Sequence, residues 1–72
     1  MIEILPALDG GRIIIAWDAA DIAEGRHGGD VVLALGKGSR AQAWANGSLA
    51  QAWVKGSRAE AWANGSRAQA WA

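Results

Sequence analysis

The sequence has no cysteine, so neither a disulfide nor a cysteine-based zinc site supports the fold. It has no long apolar run. The longest, Ile13 to Trp17, falls far short of the roughly 20 residues a membrane-spanning helix needs, so no membrane partner is expected. Met1-Ile2-Glu3 lacks the basic start of a secretory signal, and none is predicted. No phosphate loop, paired carboxylates or nucleotide fingerprint occurs, and no serine has a nucleophile-like setting. No enzyme and no cofactor are expected. A chain of 72 residues buries only about 60% of its unfolded surface, so a monomer is predicted to be marginal.

Net charge is zero but unevenly placed. Residues 1–36 carry Arg12 and Arg26 against Glu3, Asp9, Asp18, Asp21, Glu24 and Asp30. Residues 37–72 carry Lys37, Arg40, Lys55, Arg58 and Arg67 against Glu60. An acidic half followed by a basic half implies two solvated surfaces, or head-to-tail association, or a basic half that meets a polyanion.

What the chain does have is a nine-residue repeat. Residues 37–72 read KGSRAQAWA, NGSLAQAWV, KGSRAEAWA and NGSRAQAWA. The same frame extends backwards through GGDVVLALG, AADIAEGRH, GGRIIIAWD and MIEILPALD, giving eight nonapeptides. Glycine recurs at the second position from Gly29 onwards, as a turn with positive φ requires. The seventh position is alanine or glycine throughout. Lys37, Asn46, Lys55 and Asn64 alternate at the first position, so the full period is eighteen. The chain therefore reads as a single repeat domain, 1–72, with degenerate copies over 1–36 and regular ones over 37–72.

Ser39-Arg40-Ala41-Gln42 and its copies fit a helix capping box. Gly-Ser returns too often for more than two turns of helix, however, and Ile13-Ile14-Ile15 and Val31-Val32-Leu33 favour strand. The predicted class is all-β: a β-solenoid with two nonapeptides in each 18-residue coil and an alanine-rich interior. The alternative is antiparallel β-hairpins in the N-terminal half, turning at Asp9-Gly10-Gly11 and His27-Gly28-Gly29, followed by the solenoid.

Alternation along a strand places positions 5, 7 and 9 on one side and 4, 6 and 8 on the other. Arginine and glutamine at 4 and 6 exclude that side as a core, so alanine points in and tryptophan points out. The even repeats then set Ile13, Ile15, Trp17, Val31, Leu33, Leu35, Leu49, Trp53 and Trp71 on one outer face. Such an apolar patch marks an interface, predicted here to be with further copies of the chain. The competing reading is that the parity flips at the turns and these residues form an ordinary core. The odd repeats, which include Ile4, Pro6 and Leu8, set Arg40, Trp44, Arg58 and Trp62 on the other face, a possible stripe for glycan or single-stranded nucleic acid. Residues 64–72 are a perfect repeat rather than a polar cap, so a partner is expected over that edge, or stacking on the acidic first coil of a neighbour. Asp9, Asp18 and His27 share the ninth position but are too few for a metal site. His27 reads as a surface residue, and the recurring serines as turn residues.

Residues 37–72, through the phrase GS-x-A-x-A-W-A, resemble the short-repeat β-helical segments of phage virion and bacterial surface proteins, including bactofilin-like and curli-like filaments. The resemblance implies a structural, self-assembling protein: a virion decoration or fibre component, or a filament subunit. Its partners would be itself and other structural proteins of the same assembly, in a virion or extracellular setting rather than the cytoplasm. The near-identical C-terminal copies also suit a designed repeat scaffold.

Overall fold

The computed structural model describes residues 1–7 and 10–71; Leu8, Asp9 and Ala72 lie outside the described residues. The described elements are all strands: β1 (Ile2–Pro6), β2 (Arg12–Ala16), β3 (Ile22–Gly25), β4 (Val31–Ala34), β5 (Arg40–Ala43), β6 (Leu49–Ala52), β7 (Arg58–Ala61) and β8 (Arg67–Ala70). One sheet has the order β1-β2-β4-β6-β8, and the other β3-β5-β7. From β2 onwards every pairing is parallel and joins residues eighteen apart, as in Ile13 with Val31, Val31 with Leu49 and Ala23 with Ala41. The chain is a flattened β-solenoid. Each coil runs out along one sheet and back along the other.

The first nonapeptide departs from this path. β1 pairs antiparallel with β2, setting Glu3 opposite Ile15 and Leu5 opposite Ile13. β1 and β2 thus form the first hairpin of the alternative reading, with the Ala7 N–H to Gly11 O bond at 3.0 Å and Gly10 at φ +87°; the second, at His27-Gly28-Gly29, does not form, because β3 and β4 lie in different sheets and that turn is a corner of the solenoid. Ile4 and Pro6 therefore extend the first sheet rather than the odd face where the parity rule set them. Leu8, assigned with them, lies outside the described residues.

Each corner of the solenoid is a four-residue turn. The N–H of the third repeat position returns to the carbonyl of the preceding ninth: Ser39 to Gly36 at 3.0 Å, Ser48 to Ala45 at 3.1 Å and Ser57 to Val54 at 2.9 Å. The second repeat position is the third residue of that turn and has positive φ, between 78° and 88° at Gly29, Gly38, Gly47, Gly56 and Gly65. This is the type II pattern, which favours glycine there. Ala20 occupies the same place with φ 67° and bears the strain a Cβ brings.

The interior is Ile14, Ala16, Ala23, Val32, Ala34, Ala41, Ala43, Ala50 and Ala52. Positions 5 and 7 point inward, as expected. The ninth position does not, because the strand ends at the seventh and the chain is already turning: Asp18 and His27 are exposed, and Ala45, Val54 and Ala63 half-buried. The third position takes its place. Ser39, Ser48 and Asp30 are almost wholly buried. Each serine Oγ donates back to the turn carbonyl, Ser39 to Gly36 and Ser48 to Ala45, both at 2.6 Å. Coils also meet without room to spare at Gly36, where a Cβ would press into the Asp18 carbonyl.

Two substitutions test this account by chemical denaturation. Ala20→Gly is expected to stabilise by about 1 kcal/mol by removing the positive-φ strain. Gly36→Ala is expected to destabilise by more than Gly38→Ala. The first forces backbone apart, whereas the second meets open space and bears only the φ penalty of about 1 kcal/mol.

Candidate self-association surfaces

The 18-residue register stacks like positions into columns along each outer face. On the first sheet the columns are Ile13-Val31-Leu49-Arg67, Ile15-Leu33-Gln51-Gln69 and Trp17-Leu35-Trp53-Trp71. Ile13, Val31, Leu33, Leu35 and Leu49 are half-buried, and Trp17, Trp53 and Trp71 are exposed. These residues share one outer face and do not form the core of the chain. Ile15 is the exception. It is only 5% exposed, between Glu3 of β1 and Leu33 of β4, and has little surface left to offer. The hairpin explains this, because β1 adds a neighbour that the repeat frame lacks. Trp17 Nε1 donates to Glu3 at 2.8 Å across the same hairpin.

On the second sheet the columns are Ile22-Arg40-Arg58, Glu24-Gln42-Glu60 and Arg26-Trp44-Trp62. The Trp44 and Trp62 rings stack at 5.0 Å and 8°. The Arg26 guanidinium lies 5.8 Å from the Trp44 centroid. Arg26 belongs to the coil before Trp44 and Trp62 to the coil after, so both faces of Trp44 are occupied. Its Nε1 donates to Glu24 at 3.1 Å, and Arg26 pairs with the same carboxylate at 3.2 Å. Gln42 donates to Glu60 at 3.0 Å. Arg40, Trp44, Arg58 and Trp62 do share one exposed face, but its carboxylates sit in the column between the arginines and the tryptophans. On the first sheet Trp53 and Trp71 stack likewise, at 5.0 Å and 13°.

The N-terminal end of the solenoid is tied off by charge. Asp30 is 1% exposed and accepts from Arg12 Nη2 at 2.9 Å and from the His27 N–H at 3.1 Å. Burial pushes its carboxyl pKa up. The Arg12 hydrogen bond, the His27 backbone N–H and the Arg12 charge outweigh this and hold it below the ordinary carboxylate value. The hydrogen bond to Asp30 raises Arg12 in turn. His27, exposed as expected, accepts at Nδ1 from Arg12 at 2.8 Å, since a guanidinium can only donate. The Met1 ammonium bonds to Asp18 at 2.6 Å and to Asp21. Its hydrogen bond, followed by the one from the Asp18 N–H, lowers the Asp21 carboxyl pKa. Asp9, the third member of the ninth-position set with Asp18 and His27, lies outside the described residues, and among those described no cluster of three metal-binding side chains occurs.

The other end of the described solenoid is formed by β7 and β8. Among the described residues β8 pairs only with β6, and β7 only with β5. Ala61, Ala68 and Ala70, whose counterparts Ala43, Ala50 and Ala52 are buried, are exposed. The repeat frame gave no sign of the Arg12–Asp30 tie, although Asp21 and Asp30 stand at the position that serine holds later and mark the same inward site.

The Asp30 tie predicts an acid dependence. A carboxyl whose folded pKa lies below its unfolded value of about 3.9 contributes stability above that pH, and the contribution is lost as pH falls through the folded value. Asp30→Asn is expected to lower stability by about 1–3 kcal/mol at pH 7. The deficit should shrink below about pH 4, read from denaturant midpoints across a pH series.

No protein-family model, curated protein or solved structure matches this chain.

Proposed function

We propose that the protein is a structural, self-associating element, a virion fibre or decoration component or a filament subunit. Its contacts are the outer face of the first sheet and the coil ends. One observation carries this reading. From β2 to β6 the outward positions of that face are Ile13, Ile15, Trp17, Val31, Leu33, Leu35, Leu49, Gln51 and Trp53, with no charge among them. A continuous uncharged face with exposed tryptophan on a small chain favours burial against protein over contact with a polyanion. The thin interior argues the same way. Alanine brings one methyl each, at about 0.8 kcal/mol per buried carbon, so burial of the larger outer side chains is the main stabilisation left to gain.

The odd-face stripe supports ligand binding less well. A base or sugar needs a free ring face, and Trp44 has Arg26 and Trp62 against its two.

Leu49→Arg tests the face. Arginine already stands at the same repeat position as Arg40, Arg58 and Arg67, so the solenoid accommodates it. Light scattering after size exclusion at micromolar concentration should give an oligomer for wild type and at most half that mass for Leu49→Arg, with tryptophan emission shifted to the red. An unchanged mass in the variant would remove this face from the assembly. A wild-type monomer would overturn the proposal.

A further inference from the structure

We infer that two copies of the chain pack their first-sheet outer faces on a two-fold axis parallel to the strands, and that Trp17 of each copy enters a slot between Trp17 and Trp53 of the other. This rests on the self-association reading above and gives that contact a register.

The slot is a break in a ladder. Down the first sheet the eighth repeat positions run Trp17, Leu35, Trp53 and Trp71. Rings one coil apart stack at 5.0 Å, as Trp53 and Trp71 do. Trp17 and Trp53 are two coils apart, about 10 Å on two strand spacings. One further ring set between them would lie about 5 Å from each, within the range of stacked aromatic pairs. The level between them holds Leu35, half-buried and shorter than an indole. The outer parts of the two indoles therefore face each other across an opening one ring thick. Both rings keep exposed surface, Trp17 at 44% and Trp53 at 45%. The Trp17 Nε1 bond to Glu3 at 2.8 Å holds the first ring in place before any partner arrives.

The spacing of the rings selects the occupant. A two-fold axis along the strands, lying between the faces, reverses the order of the coils and keeps each column opposite itself. Three offsets of the partner's column would put one of its rings at the level of Leu35. Those that use the partner's Trp53 or the partner's Trp71 also drive other rings of the two copies into a shared level. The one that uses the partner's Trp17 brings no two rings together at one level, and it fills both openings at once. The ladder then runs without a break through the partner's Trp71, the partner's Trp53, Trp17, the partner's Trp17, Trp53 and Trp71.

The rest of the face fits the same offset. Leu5 and Glu3 of β1 stand opposite Ile13 and Ile15 and so share their outer side. β2 lies over the partner's β4, and β6 over the partner's β1. Ile13 meets the partner's Val31, and Leu49 meets the partner's Leu5. Gln51 meets the partner's Glu3. One amide N–H of Gln51 bonds Gln69 at 3.1 Å, and the other is left to donate to that carboxylate. Arg67 of β8, the one cation among the outward residues of these columns, falls outside the overlap.

The experiment compares wild type with Leu35→Trp, Trp17→Leu, Gln51→Glu and the double swap Glu3→Gln/Gln51→Glu, by light scattering over a concentration series and by circular dichroism. Leu35→Trp fills the opening from within the chain. Tryptophans on adjacent coils are already accommodated at Trp44 and Trp62 and at Trp53 and Trp71, so the fold should persist while association weakens about tenfold or more. Trp17→Leu removes the entering ring and should weaken association likewise. Gln51→Glu sets a carboxylate against the partner's Glu3 and should weaken it too, and the double swap should restore it. Within one chain β2 and β4 separate residues 3 and 51, so a merely local effect gives no rescue. Full association of a folded Leu35→Trp chain, or of Trp17→Leu, would overturn the interlocked ladder while leaving self-association standing. A double swap that associates no better than Gln51→Glu would overturn it equally. A wild-type chain that stays monomeric would overturn both.

Discussion

Everything in this molecule depends on a register of eighteen. Parallel ladders between β2, β4, β6 and β8, and between β3, β5 and β7, force each residue beside the one eighteen places on. The turn maintains that register. A four-residue corner with positive φ at its third residue returns the chain in nine residues every time. The buried third-position side chain locks the corner by bonding to the turn backbone, whether it is Ser39, Ser48 or Asp30. Once the register is fixed, side chains have no choice of neighbour. Tryptophan stacks on tryptophan and glutamine bonds to glutamine or glutamate because the backbone sets them one strand spacing apart.

The same tight corner sets the size of the core. A nine-residue side leaves space between the sheets for alanine, serine and a few larger groups near the N-terminal end, where Ile14 and Val32 are buried. That interior removes little apolar surface from water, and small domains have little to spare. The bulky side chains were placed outside instead, in columns that touch only along their length. Trp44, Trp53, Trp62 and Trp71 each keep between 39% and 57% exposure after stacking. This surface is only half covered by the chain itself, so the self-association proposed above would link association to stability.

Much of this was legible in the sequence, because a repeat states its own geometry. The period of eighteen, the inward alanines at positions 5 and 7 and the outward tryptophans followed from alternation and from the polarity of Arg40, Gln42 and their copies. What escaped the repeat frame was what breaks it. The first nonapeptide carries the same apolar rhythm as its successors, so phase alone did not show the reversal of β1; the turn signal at Asp9-Gly10-Gly11, which gave the hairpin alternative, did. The burial of Ile15 is a consequence of that reversal. The ninth position was misassigned because alternation was carried past the end of the strand into the turn. The buried third position was hidden by its chemistry: serine and aspartate read as surface residues until the hydrogen bonds that satisfy them are seen.

The two ends of the solenoid differ in kind, and this bears on what an assembly can look like. At the N-terminal end β1 reverses direction and the Arg12–Asp30 tie fills the corner, so the repeat has no parallel continuation there on the first sheet. At the other end the repeat is intact through β7 and β8, the last described strands. A polar solenoid with unlike ends would ordinarily grow head to tail, and the charge asymmetry between the halves invites it. The hairpin works against this, because a coil cannot continue in register onto an antiparallel strand. Under the self-association proposed above, contact then falls to the outer face of the first sheet meeting its own copy. Each such contact is isologous and closes on its own two-fold axis. A protomer with one gives a dimer.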